Sequence, residues 1–230
     1  MKDYWTKELR NYLIANIFTF LWLSNLFSFD GSLQFTVKTV STLINSSLVS
    51  AALFAFPFVL DACLGSVIKG KLLFCFGHQP GEKIFSAIKS GKIRDIRFTK
   101  EQALKKYASV YSQLPSNKKA RFAYENAEWY RVYHHVHNSE IIKSSNKEYL
   151  LLRDMHIATY STMAMYTILV ILSDSLAWSW PCFLFETGML VLTNIAARNK
   201  ATRFVLNVLA FDMQEQTLYQ SGKENRHEFE

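Results

Sequence analysis

The feature that most constrains this chain is a set of four charge-poor apolar runs, two near each end, separated by a long lysine-rich middle. A helix needs roughly 20 apolar residues, about 17 to 25, to cross the hydrocarbon core of a bilayer. Residues 12–29 (YLIANIFTFLWLSNLFSF) carry no charge at all. Residues 43–68 are long enough to cross even with Pro57 inside and Asp61 toward the end. Residues 157–173 lie between Arg153 and Asp154 on one side and Asp174 on the other, and residues 180–197 form a shorter run that contains Glu186. The pattern predicts an all-α membrane protein with about four transmembrane helices in two hairpins and a helical insert between them. Lys2, Lys7 and Arg10 precede the first run as they would in a signal peptide. That run is long enough to span, and no small-residue cleavage site precedes Asp30 and Gly31, so it reads as a retained helix.

The basic residues give an independent test of orientation, because loops that stay in the cytoplasm carry an excess of Lys and Arg. Of 26 such residues only Lys38 falls between the first and second runs, and none falls between the third and fourth. The rest lie before residue 12, between Lys69 and Arg153, or after Ala197. Four crossings with both termini in the cytoplasm account for this asymmetry, and in a membrane protein the net charge of +7 reports orientation before it reports nucleic acid. The expected organisation is an N-terminal transmembrane hairpin over 1–68, a basic cytoplasmic helical region over 69–155, a second hairpin over 156–197, and an amphipathic segment with a polar, disordered tail over 198–230.

In the middle region, GKLLFCFGHQPGEK reads as a loop or interfacial corner, followed by a short helix around Ile84, Phe85 and Ile88 and then irregular chain. Thr99 to Gln102 has the form of a capping box, and Leu104, Tyr107, Tyr111 and Leu114 carry that helix to Pro115. Ser116 is expected to start a second helix running to about Lys143. Ser145 to Glu148 reads as another capping box, and with no breaker before Ser173 one helix is expected to run from there through the third span.

Acidic residues inside a bilayer are costly, roughly 2.5–3.5 kcal/mol each at the centre, and so mark candidate sites. Asp61 and Asp174 lie toward span ends, where headgroups or water are in reach; Glu186 lies deeper, with a conductive or gating role set against a structural hydrogen bond or a protonated carboxyl. His134, His135 and His137 suggest a metal site with Glu128 or Glu140. On a helix, however, His135 points away from the other two, and neither HExxH nor ExxH occurs. The expectation is therefore no metal and no cofactor. Cys63, Cys75 and Cys182 form no CxxC pair and suggest no disulfide framework. The run RFAYENAEWYRVYHH offers Arg121, Trp129 and Arg131 as candidate partner-binding residues, with aromatic packing as the alternative and direct nucleic-acid contact not expected. No Walker A loop, GxGxxG, GxSxG or kinase set is present, so the chain is not expected to be an enzyme.

The layout of two spans, a basic insert and two more spans resembles small membrane effectors of bacterial anti-phage systems. In particular, KIFSAIKSGKIRDIRFTKEQALKKYASVYSQLPSNKKARFAYENAEWYRVY is similar to the cytoplasmic part of transmembrane proteins found with retrons. The resemblance implies an abortive-infection effector held silent by a reverse transcriptase with its RNA-linked DNA, and released on infection to disrupt the inner membrane. Self-association into a homo-oligomer is compatible with that role. The alternatives are a small ion channel or transporter component, in which Glu186 and Asp61 bind cations, and a membrane-bound metal enzyme built on the histidines.

Overall fold

A computed structural model describes residues 7–24, 37–75, 77–172 and 177–227, with side chains for all of these except 37–46, 48–50 and 215–227. Every element among the described residues is helical, apart from one isolated bridge between Asp95 and Phe98. The helices are α1 (Glu8–Leu23), α2 (Val37–Cys63), α3 (Ser66–Leu73), α4 (Ile84–Lys89), α5 (Lys100–Lys106), α6 (Ala108–Ser112), α7 (Lys118–Val136), α8 (Glu140–Leu172) and α9 (Trp180–His227). The chain divides into two compact units, Met1–Leu73 with Leu150–Ala197 and Phe74–Tyr149 with Arg198–Glu230.

Two helices, α8 and α9, are long and apolar enough to cross a membrane, with α9 qualifying over Trp180–Gln214. A bent pair, Ala51–Cys63 and Ser66–Leu73, makes a third if it is one broken span. The run 43–68 therefore does not form one straight helix: α2 ends at Cys63, and α3 leaves at 112°. Hydropathy continues through Ile68 and hides the corner, where Gly65 has open space around the position a Cβ would take. The first run is helical as α1, which has 16 residues and closes at Ser24, whose N–H donates to Phe20 O. Residues 25–29 of that run, and Asp174 at the end of the third, lie outside the described residues.

The first unit is packed inside out relative to a water-soluble domain. Among the described residues, all the large exposed apolar side chains except Ile96, Tyr130 and Ile141 belong to it, including Phe18, Trp22, Ile171, Leu172, Leu184 and Leu192. Its two buried apolar clusters are modest. One joins Ile17, Phe20 and Leu21 of α1 to Leu53, Tyr166 and Cys182; the other joins Leu9 and Leu13 to Ala158. All the buried polar and charged side chains of the described residues except Glu125 are also in this unit. Apolar groups outside and polar groups inside suit a hydrocarbon solvent, in which an exposed polar group has no partner and an exposed Leu costs nothing.

The second unit has the opposite arrangement. One apolar cluster gathers Phe85, Tyr107, Val110, Trp129, Val132 and Ile142 with Phe204, Val208 and Leu209 of α9. Trp129 stacks on Tyr133 and meets Phe204 edge-on, and its Nε1–H donates to Val205 O at 3.3 Å. The capping box at Thr99 and Gln102 forms in both directions. The helix it starts breaks at Tyr107, whose buried hydroxyl donates to Asp212 at 2.8 Å and whose pKa burial raises, with the Asp212 carboxylate adding to the effect.

Other helix boundaries also differ from those the sequence suggests. Asn117, not Ser116, caps α7, accepting from the N–H groups of Lys119 and Ala120. That helix stops at Val136 rather than near Lys143, and α8 already begins at Glu140. Ser145 is consequently inside α8 and caps nothing; its Oγ accepts from Asn207 Nδ2 at 2.8 Å. After Arg198 the chain continues α9 without interruption, and the helix extends to His227, where polar composition suggested a disordered tail.

Candidate functional site

The polar interior of the first unit is built by helical spacing. On α1, Tyr12 and Asn16 stand one turn apart on the same face. On α8, the order Arg153, Asp154, His156 and Thr159 sets polar groups along two turns, and on α9 the pair Glu186 and Thr193 is separated by two turns. Each of these except Tyr12 is buried.

Glu186 and Asn16 form the least satisfied part of this interior. Glu186 is fully buried and Asn16 is 3% exposed, and none of their four side-chain polar atoms has a hydrogen-bond partner. Asn16 is nonetheless the polar neighbour that influences the carboxyl, and it also lies next to Tyr12. The Tyr12 hydroxyl is 2.5 Å from Thr159 Oγ1. Because Thr159 donates its own proton to Met155 O at 2.9 Å, Tyr12 is the donor in that contact. The hydroxyls of Ser161, Thr162 and Thr193 are satisfied in the same way by the carbonyl one turn back, which is how such residues commonly sit inside spans. Glu186 has no such local solution.

A second group is charged. Lys69 on α3 pairs with Asp61 on α2 and lies 3.9 Å from Asp154, and Arg153 holds Asp154 through two bonds of 2.9 and 2.8 Å. Asp61 is therefore an ion-pair partner instead of a carboxylate reaching for headgroups. Two carboxylates and two cations balance locally, which is the condition for holding charge away from water. Asp61 and Asp154 also line a cavity of about 10 Å³ with Leu9, Leu13, Pro57 and Phe58, close to the room one water needs.

A third group centres on His156. Asn194 Nδ2 donates to Leu73 O at 2.8 Å and approaches His156 Nε2 at 3.3 Å, so Nε2 accepts. His156 Nδ1 then carries the proton and donates to Thr193 Oγ1 at 3.1 Å. The ring thereby links Thr193 and Asn194.

The other sequence candidates lie in the second unit. Trp129 is 4% exposed and belongs to the core, so its indole is not a surface for a partner. Arg131 is exposed and pairs with Glu128, while Arg121 is half-buried with its Nε unpaired. His134 and His137 have ring centroids 6.0 Å apart, and His137 Nδ1 is 2.7 Å from His134 O. Among the described residues no group of three or more His, Cys, Asp or Glu side chains is placed to hold a metal. Lys69, Arg153, Asp154 and His156 escaped the sequence reading because they flank apolar runs, where charges serve as markers of span ends.

No protein family, curated protein or solved structure matches this chain.

Proposed function

We propose that this protein is a membrane effector that, when released by a partner complex, makes the bilayer of its own cell permeable. The observation that carries the reading is the fully buried, unpartnered Glu186 beside Asn16, in a unit whose outer surface is apolar. Burying a carboxyl without a hydrogen bond is costly, and a helix bundle needing only stability would place Leu or Met there. A bundle that rearranges to admit water or ions would solvate the same carboxyl, so the cost in the silent state becomes a driving force for opening. The resemblance of the middle segment to transmembrane proteins found with retrons supplies the biological setting. In that setting the trigger is phage infection, the silencing partner is a reverse transcriptase with its RNA-linked DNA, and the outcome is abortive infection. The distribution of basic residues favours four crossings of the bacterial inner membrane with both termini cytoplasmic.

Induced expression in a bacterial host, followed with a potential-sensitive dye and by growth, tests this. Depolarisation and growth arrest are expected for the wild type, and their loss is expected for Glu186→Gln at equal membrane abundance. If expression with or without an activated partner leaves both potential and growth unchanged, the reading is wrong. The same carboxyl favours a second reading, a cation channel or transporter component. Purified protein in liposomes separates the two: selective, saturable cation flux supports the second, whereas release of a trapped dye supports the first.

A further inference from the structure

The second unit contains an open groove of about 530 Å³, within the ~300–1,000 Å³ of small-molecule sites. Four cations face it: Arg94 and Arg97 from the irregular segment after α4, and Lys200 and Arg203 from α9. Two of them are fixed. Asp95 holds Arg97 through bonds of 2.8 and 2.6 Å, and the guanidinium in turn keeps the Asp95 carboxyl below its usual range. Arg97 Nη1 also donates to Asn207 Oδ1 at 2.6 Å, and Asn207 is itself anchored on Ser145. Lys200 is held by Glu148 at 2.5 Å. The groove wall is thus ordered by a chain of polar contacts that joins three separate segments of the sequence.

Arg94 and Arg203 are different. Both are exposed, and neither makes an ion pair or hydrogen bond among the described residues. With Asp95 and Glu148 neutralising Arg97 and Lys200, these two leave the groove with a charge of about +2, matching the −1.5 to −2 of a phosphate monoester near neutral pH. Guanidinium forks bind phosphate oxygens in pairs, which makes two free arginines lining one groove a phosphate-binding arrangement. Ile96 also lines the groove with its side chain fully in solvent, an apolar contact for whatever the phosphate is attached to.

We infer that this groove binds a phosphate-bearing small molecule, with Arg94 and Arg203 contacting the phosphate and Ile96 the attached apolar group. The ligand is either a soluble nucleotide or a lipid headgroup, which share this chemistry. The site is independent of what the membrane unit does.

The test is calorimetric titration of the purified full-length protein in a neutral detergent with two probes, ATP and dioctanoyl phosphatidic acid. Saturable binding of at least one probe is expected; ATP alone identifies a soluble ligand, and the lipid alone identifies a headgroup. Arg94→Ala with Arg203→Ala is expected to weaken binding at least tenfold. Lys105→Ala with Lys119→Ala, which removes the same charge from exposed positions elsewhere in the unit, is expected to change it less than twofold. All four side chains are exposed, and an unchanged circular dichroism spectrum confirms that both variants fold. Saturation by neither probe, or equal weakening by the two double variants, overturns the proposal.

Discussion

In the first unit, Glu186, Asn16, Asp154, Lys69 and His156 occupy the interior while Phe18, Trp22, Leu172 and Leu184 face outward; in the second, Phe85, Trp129 and Phe204 fill the interior and the lysines and arginines lie outside. One chain therefore follows two packing rules, each suited to a different solvent. In water the driving force is removal of apolar surface, whereas in hydrocarbon that force vanishes and polar contacts between helices take over much of the specificity. Substitutions of the same chemical kind should consequently have different effects in the two units.

The sharpest contrast concerns loss of a large interior side chain. Trp129→Ala removes a ring packed on Tyr133 and Phe204 and the extra bond that its indole N–H gives to Val205 O, so a loss of about 3–5 kcal/mol is expected in denaturant unfolding of the detergent-solubilised protein. In the first unit the corresponding weak point is a charge. Lys69→Ala strands Asp61 and removes one of the cations near Asp154, with an expected loss of about 3–5 kcal/mol. Replacing Lys69 and Asp61 together by Met and Leu should recover most of that loss, because the pair is removed without orphaning either member. If the double replacement is no better than the single one, the balance of charges is not what holds α2 and α3 together.

Smaller effects sharpen the picture at the surface of the second unit. Thr99→Ala removes the acceptor for the Gln102 N–H and should cost about 1 kcal/mol, read as a lowered midpoint in the same unfolding experiment. The Asp95–Arg97 pair should contribute under about 1 kcal/mol. Because the folded-state pKa of Asp95 lies below its unfolded value, that contribution is present above about pH 4 and fades as the pH falls through the depressed pKa. Asp95→Asn should flatten this part of the stability profile, and an unchanged acid limb would show that the pair contributes nothing to folding.

What the sequence made legible follows from how local each signal is. The capping box at Thr99 is written in four consecutive residues and forms as read. The continuity of α8 through the third apolar run is visible because nothing between Ser145 and Leu172 breaks a helix. Ser145 itself misleads, since its partner Asn207 lies 62 residues away and no local pattern reveals it. The corner at Leu64–Gly65 was hidden by uninterrupted hydropathy, and the break at Tyr107 by a regular apolar period, because the contact of Tyr107 with Asp212 is distant in sequence. Among the site residues, Glu186 stood out because a carboxylate in a run of apolar residues is conspicuous. Lys69 and Asp154 did not, because a charge beside such a run looks like the end of a span until its partner is seen. The phosphate groove was least visible, since Arg94 and Arg203 are more than a hundred residues apart and only the fold brings them to one groove.

The contacts between α1 and the start of α9 have a consequence for synthesis. Cys182 Sγ donates to Phe20 O, Ser179 Oγ donates to Leu23 O, and Asn16 neighbours Glu186, so the first helix of the chain completes its surroundings only when the ninth has been made. Phe20 and Cys182 are 162 residues apart, a delay of roughly ten to thirty seconds at about 5–20 residues per second on the ribosome. During that interval the face of α1 that Ser179, Cys182 and Glu186 later cover lacks those partners, and Asn16 has only its neighbour Tyr12 on the same helix.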